Sequence, residues 1–188
     1  MQEEKKRWKE KDWYTILAYE PFKDKEIGEI PATDPKQIIG RVVEIGVDEL
    51  TGKDSDAHMK IKFKIEQLDN GKAFARPIAF YTLREHLARA VRKDTQKIEA
   101  VNDIKSKNGL IMHIKTQVVM NKVVYTTIGK AVRKRIGQIL EDTISKSDFK
   151  KFLLDVISGN IQKRIKKECS KIYPVRFAEI AKIETKLK

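Results

Sequence analysis

The sequence is short of cysteine, of aromatic residues and of long apolar runs, and each shortage closes off a class of protein. One cysteine among 188 residues, Cys169, cannot close an internal disulfide and leaves a structural zinc site without its usual thiolates. It points instead to a reducing compartment. No stretch approaches the roughly 18 consecutive apolar residues of a membrane span. Met1-Gln2-Glu3-Glu4-Lys5 lacks the apolar centre of a secretory signal, so a soluble, cytoplasmic product is expected. Aromatic residues make up 7%, and no cluster of rings interrupts the basic residues, which argues against stacking on successive bases of a single strand as the main mode.

Acid is scarce in one half only. Residues 1–80 hold 15 Lys+Arg and 16 Asp+Glu, whereas residues 81–188 hold 25 and 11, so the net charge of +13 lies wholly in the second half. A surface laced with ion pairs raises Lys and Glu together, which suits the first half and not the second. The second half calls for a polyanionic partner, and nucleic acid fits, with RNA and DNA both open.

A 40% hydrophobic fraction supports a core without staples, and the length favours one domain. The expected layout is a basic tail over 1–11, a single domain over 12–184 and a short tail over 185–188. Trp13–Tyr19 reads as a first strand, and residues 20–37, with Pro21, Gly28, Pro31 and Pro35, read as a long loop. A second strand is expected over 38–47, with Gly40 and Gly46 as candidate bulges. Residues 58–68 alternate: Met59, Ile61, Phe63 and Ile65 face one side, and Lys60, Lys62, Lys64 and Glu66 the other. Asn70-Gly71 is a hairpin turn leading to a strand over 72–80. Another hairpin joins 97–106 to 110–120 through Asn108-Gly109, and 175–184 alternates as a last strand.

Helical spacing appears in four places. Thr82-Leu83-Arg84-Glu85 has the pattern of a capping box before a helix to about 93. Ile128, Val132, Ile136, Ile139 and Leu140 set a second helix over about 127–145. Ser145 or Ser147 is a candidate cap for a third, with Phe149, Phe152, Leu153 and Val156 inward and Gly159 past its end. Ile161, Ile165 and Ile172 mark a fourth, stopped before Pro174. The class is α+β, expected as an antiparallel β-barrel of six or seven strands with about four flanking helices.

Catalytic patterns are weak. His58, His86 and His113 have no metal-ligand spacing, and Cys169 within KKECSK reads as a packing residue despite nearby lysines that could lower its pKa. Gly46–Ser55 fails as a phosphate loop: it has five residues between glycines, and Asp54 where a hydroxyl should follow Lys53. No cofactor, no metal and no small-molecule substrate is expected. The strong signal is basic. Arg84, Arg89, Arg92 and Lys93 crowd the first helix, with Lys97 just beyond. Lys122, Lys130, Arg133, Lys134 and Arg135 lie in a window, 121–140, that contains no acid. Lys130 and Lys134 are i,i+4 neighbours of like charge, which costs helix stability unless an anion screens them. The fourth helix adds Lys163, Arg164, Lys166 and Lys167, where a solvated polar side is explanation enough. Lys5, Lys6, Arg7 and Trp8 form a basic tail with one ring that can order on a folded RNA.

Four ordered blocks carry a resemblance. WKEKDWYTILAYEPF at 8–22, PATDPKQIIGRVVEIGVDELTGKDSDAHMKIKFKI at 31–65, LREHLARAVRKDTQKIE at 83–99 and KIYPVRFAEI at 171–180 resemble the archaeal and eukaryotic small-subunit ribosomal protein family eS-one, formerly called S-three-A-e. The resemblance implies a β-barrel core with helices, no catalysis, and a place on the platform of the small subunit near the messenger-RNA exit. It implies contacts with rRNA and neighbouring ribosomal proteins, in the cytoplasm on the ribosome, with messenger RNA near the exit as a further contact. Its basic positions carry over to Arg41, Arg84, Arg92, Lys93 and Lys97. Asp94 stands where the family leads one to expect glycine, so an altered turn is expected. Val175–Ala178 is less basic than the family's strand, which suits packing or a protein contact. The chain ends soon after that strand, as in an archaeal-type member. The competing expectations are a free-standing regulator that binds messenger RNA, and an RNA-processing enzyme using His58 or His113 as acid and base.

Overall fold

Side-chain alternation sets the sheet. In the computed structural model, which describes residues 11–22, 24–69, 71–107, 109–145 and 147–186, β4 spans Met59–Asp69. It buries Met59, Ile61, Phe63 and Ile65 and leaves Lys60, Lys62 and Lys64 on the outward side, the pattern of a strand wet on one face. β5 (Lys72–Thr82) returns antiparallel after Gly71, whose φ of +78° glycine adopts without strain. β6 (Gln96–Lys105) and β7 (Ile111–Met120) form the second hairpin. β8 (Val175–Lys186) inserts antiparallel between β5 and β7 and so joins the two hairpins.

One edge of β5 changes partner along its length. β1 (Asp12–Ala18) runs parallel to residues 72–75, whereas β8 pairs with 79–81. Pro77 falls in the gap between them, where a missing N–H costs no ladder bond, and β5 is bulged against β4 at the same point. The sheet forks here. β2 and β1 leave one half of β5, β8, β7 and β6 leave the other, and β4 with β3 (Val42–Gly46) covers the opposite edge.

The expected antiparallel barrel of six or seven strands is therefore corrected to an open, mixed, eight-stranded sheet, and the helices number five among the described residues. A barrel needs its two end strands to meet, but the fork gives the sheet three ends, β2, β3 and β6. The long loop expected over 20–37 contains β2 (Lys25–Ala32), an edge strand with half its residues exposed and no apolar alternation. Its Pro31 is tolerated because an edge strand has one row of backbone groups unpaired. Gly46 ends β3 without a bulge, whereas Gly40, at φ +89°, makes one just before it: the Gly40 N–H donates to the Ile65 carbonyl at 2.8 Å and the Ile65 N–H to the Arg41 carbonyl at 3.0 Å, so two residues face one. Directly after β3, α1 (Val47–Thr51) is a five-residue helix closed by Gly52, too short to show a period.

Three of the remaining helices cover the inner face. α3 (Thr126–Ile144) buries Val132, Ile136, Ile139 and Leu140 and packs on β6. Gly137 permits that approach: a Cβ there would lie 3.1 Å from the Asn102 side-chain nitrogen. α4 (Phe149–Ile157) buries Phe149, Phe152, Leu153 and Val156, and Gly159, at φ +73°, turns the chain into α5 (Asn160–Cys169). Asp148, not Ser145 or Ser147, holds the cap position of α4; the Ser145 hydroxyl instead donates back to the Glu141 carbonyl at 2.6 Å. Ile172 lies beyond α5 and is exposed.

The capping box at Thr82 is also corrected. α2 is only Arg84–Arg89, its cap position is Leu83, and the buried Thr82 hydroxyl donates across the sheet to the Ile180 carbonyl at 2.9 Å. Thr82 belongs to β5, one residue ahead of the cap position, and its hydroxyl is turned toward the sheet instead of toward the first-turn N–H groups of α2 that it would have to accept from.

Candidate nucleic-acid interface

Register brings the two basic clusters to one end of the sheet. Gln96 lies opposite Met120 and Lys97 opposite Val119, so the turn before β6 and the connection after β7 share that end. Two long-range bonds tie them: the Val124 N–H donates to the Gln96 side-chain oxygen at 2.6 Å, and Arg133 Nε donates to the Glu99 carbonyl at 3.0 Å. Arg92, Lys93, Lys122 and Lys130 are all exposed along this end and its continuation onto α3, with Lys134 one helical turn further. Because α2 stops at Arg89, Arg92 and Lys93 sit in a turn and not on the helix as expected. Thr95 closes that turn by donating to the Arg92 carbonyl at 2.6 Å and accepting from the Arg92 N–H at 3.0 Å. Asp94 takes φ +62°, the left-handed conformation, so a glycine-like turn is kept at about 1 kcal/mol of backbone cost.

Ion pairing sorts the basic residues. Arg84, Arg89, Arg92, Lys93, Lys122, Lys130 and Lys134 form no ion pair among the described residues. Arg133 reaches only a backbone carbonyl, so its charge is uncompensated. Arg135 is different: it pairs with Glu168 of α5, which also holds Lys171 at 2.7 Å. Lys171 and Arg135 together push the Glu168 carboxyl down to about 2. Lys97 pairs with Glu99 at 2.9 Å, and Lys115 shares that carboxylate at 3.1 Å. Arg41 is half-buried beside β3 and donates to the Pro31 carbonyl at 3.4 Å, on the other arm of the sheet. Lys5, Lys6, Arg7 and Trp8 lie outside the described residues.

Sequence reasoning missed a groove. Between α2 and the outward face of the sheet lies a depression of about 910 Å³ lined by Lys62, Tyr81, Arg84, Lys97, Lys115 and Lys182 over Leu83 and Leu87. Lys62 sits 5.5 Å from the Tyr81 ring centre. Burial, then the bond to Glu44, pushes the Tyr81 hydroxyl up to about 12, so it stays a donor. The signal was present as alternating lysines on single strands, but only strand order collects Lys62, Lys115 and Lys182 from β4, β7 and β8.

Two of the three histidines meet, and the third lies apart from them. His58 and His86 stack with ring centres 3.9 Å apart, and burial, then His58 and Arg89, lowers the His86 pKa. His113 Nδ1 lies 2.6 Å from Asp103 across the β6–β7 ladder. Cys169 is fully buried and its thiol is pushed up to about 11 by that burial, which outweighs the lowering by Arg135. The basic neighbours therefore do not activate it.

An open sheet backed by helices, with uncompensated cations gathered at one end, defines a basic α+β protein. The particular family follows from comparison. The model of the ribosomal S3Ae family matches residues 1–187, and the chain belongs to that family. It is 32% identical over 182 residues to the small ribosomal subunit protein eS1 of Methanopyrus kandleri, covering 95% of this chain and 86% of that protein. The eS1 proteins of Archaeoglobus fulgidus and Methanobrevibacter smithii are 33% and 31% identical, over 96% and 93% of this chain and 86% and 91% of theirs.

Proposed function

We propose that this chain is a structural constituent of the small ribosomal subunit, in the cytoplasm, where it binds rRNA and neighbouring ribosomal proteins. The observation that carries the reading is membership of the ribosomal S3Ae family over nearly the whole chain. The uncompensated cations along the β6–β7 end and α3 supply the mechanism: each neutralises a backbone phosphate and releases condensed counterions. Such contacts position the protein on a folded RNA without reading its sequence. A position on the platform of the subunit, near the messenger-RNA exit and with messenger RNA as a further contact, is part of the proposal and is supported by the family resemblance alone. Arg84, Arg89, Arg92, Lys93, Lys122, Lys130, Arg133 and Lys134 are the proposed RNA contacts, with Arg41, Lys97, Arg135 and the tail residues Lys5, Lys6, Arg7 and Trp8 in secondary places.

Sedimentation of native extract through a sucrose gradient, before and after a high-salt wash, tests the reading. The protein is expected to travel with small subunits at about one copy each and to survive the wash, because many phosphate contacts act together. Slow sedimentation as a free protein would overturn it and return the translational regulator and the RNA-processing enzyme to contention.

A further inference from the structure

Among the described residues, the two most exposed large apolar side chains stand two positions apart: Val123 is 71% and Tyr125 82% exposed. Both lie in the connection between β7 and α3, inside the acid-free window. Their exposure is imposed by the residue between them. Val124 is in the core, and its N–H is held by Gln96. An extended chain that points Val124 inward must point its neighbours outward. On the other side, the Tyr125 carbonyl accepts from Gly129 at 3.2 Å in the first turn of α3. The backbone is thus fixed on both sides of an aromatic ring left in water.

We propose that Tyr125 is a stacking site for one unpaired nucleobase of the bound RNA, a proposal that rests on the RNA-binding reading above. The surroundings select this ligand. Lys122 and Lys130 flank the ring in sequence and have no ion-pair partner among the described residues, and Asn121–Leu140 contains no carboxylate. A partner that satisfies both the ring and the cations must carry dense negative charge and a flat apolar surface together. RNA does so where a base leaves the helix. A base inside a duplex has both faces covered by its neighbours, so only a bulge, loop or end supplies a free face. A tyrosine with two side-chain torsions on a fixed backbone loses little entropy when it stacks. The site differs in kind from the phosphate contacts, since stacking is nearly independent of salt and they are not.

The test uses the full chain and two RNA hairpins of equal length, one carrying an unpaired adenosine bulge and one fully paired, titrated at several salt concentrations. Tyr125→Ala is expected to weaken binding to the bulged hairpin roughly 5- to 100-fold, the range of one base stack removed. It should leave the paired hairpin and both salt slopes unchanged. Tyr125→Phe keeps the face of the ring and is expected to bind as the parent does. Equal affinity of parent and Tyr125→Ala for the bulged hairpin would overturn the proposal, and so would an equal loss on both hairpins. Selective loss of binding to an acidic peptide in place of the bulged RNA would assign the ring to a protein neighbour and overturn it too. Failure of the parent to bind either hairpin would instead remove the RNA-binding reading beneath it. Thermal unfolding of Tyr125→Ala near the parent's Tm is expected, because the ring buries almost nothing.

Discussion

Two flanks of α3 carry arginine, and they differ in where its charge is met. Toward β6, Arg133 spends Nε on the Glu99 carbonyl and keeps its full charge for an outside partner. Toward α5, Arg135 meets Glu168 in a cluster that also holds Lys171. The two residues stand two positions apart in the same acid-free run, so counting bases in sequence weighs them alike. Their partners come from elements more than thirty residues away, and only one of these partners is a carboxylate. A basic helix therefore predicts a polyanion only after internal carboxylates have been subtracted. By that measure the outer side of α3, with Lys130, Arg133 and Lys134, is free for an outside partner, and the α5-facing edge is tied into the fold.

The strongest way to break this contrast is to remove what both flanks stand on. Ile136 is fully buried beneath them, and Ile136→Ala should cost about 2–5 kcal/mol in a denaturant titration, through lost transfer energy and the cavity left behind. A cost below about 1 kcal/mol would mean that α3 does not anchor either flank. Next in size is the charge itself. Arg133→Ala with Lys134→Ala should flatten the dependence of log affinity for RNA on log salt by roughly 0.7–0.9 for each phosphate no longer neutralised, whereas Arg135→Ala, a secondary contact already paired with Glu168, should flatten it by less than one such step and lower Tm. Parallel slopes for all three proteins would erase the distinction.

A smaller effect sharpens the α5 side by pH. Glu168 titrates lower in the folded state, about 2, than an ordinary glutamate near 4.5. Its ion pairs therefore stabilise the fold fully above about pH 4.5, and that stability is lost as pH falls toward 2. Glu168→Gln should show a smaller difference between urea midpoints at pH 7 and pH 2.5 than the parent does. An equal difference would show that the cluster does not stabilise the fold. The smallest readout is chemical. Cys169, next to Glu168 and buried, should resist a thiol reagent at pH 8 in the native protein and react once unfolded. Fast native labelling would mean that the α3–α5 packing opens readily.

Much of this is legible in the order of residues alone. The outward lysines of β4 follow from strict alternation between Met59 and Ile65, and the buried row of α3 follows from Val132, Ile136, Ile139 and Leu140 at helical spacing. Both are local periodicities, which a chain displays whatever it later packs against. Where the period fails, so does the reading. β2 has no apolar rhythm because it is an exposed edge, and α1 is too short to have one. Thr82 resembles a cap because the pattern is local, while its true acceptor, Ile180, lies 98 residues away. The groove at Lys62, Lys115 and Lys182 is invisible in sequence for the same reason: each lysine is ordinary on its own strand.

The sequence by itself determined the α+β class, most of the strands and helices, the concentration of positive charge after residue 80 and the resemblance that names the family. These depend on composition, on order and on periods of two or 3.6 residues. The tertiary structure decided that the sheet forks at Pro77 and stays open, that Arg135 is neutralised while Arg133 is not, and that Val124 turns inward and leaves Tyr125 in water. Each of these is settled by which distant backbone or side chain arrives at a given place. Long-range pairing is a competition among all surfaces of the chain at once, and no local pattern records its outcome.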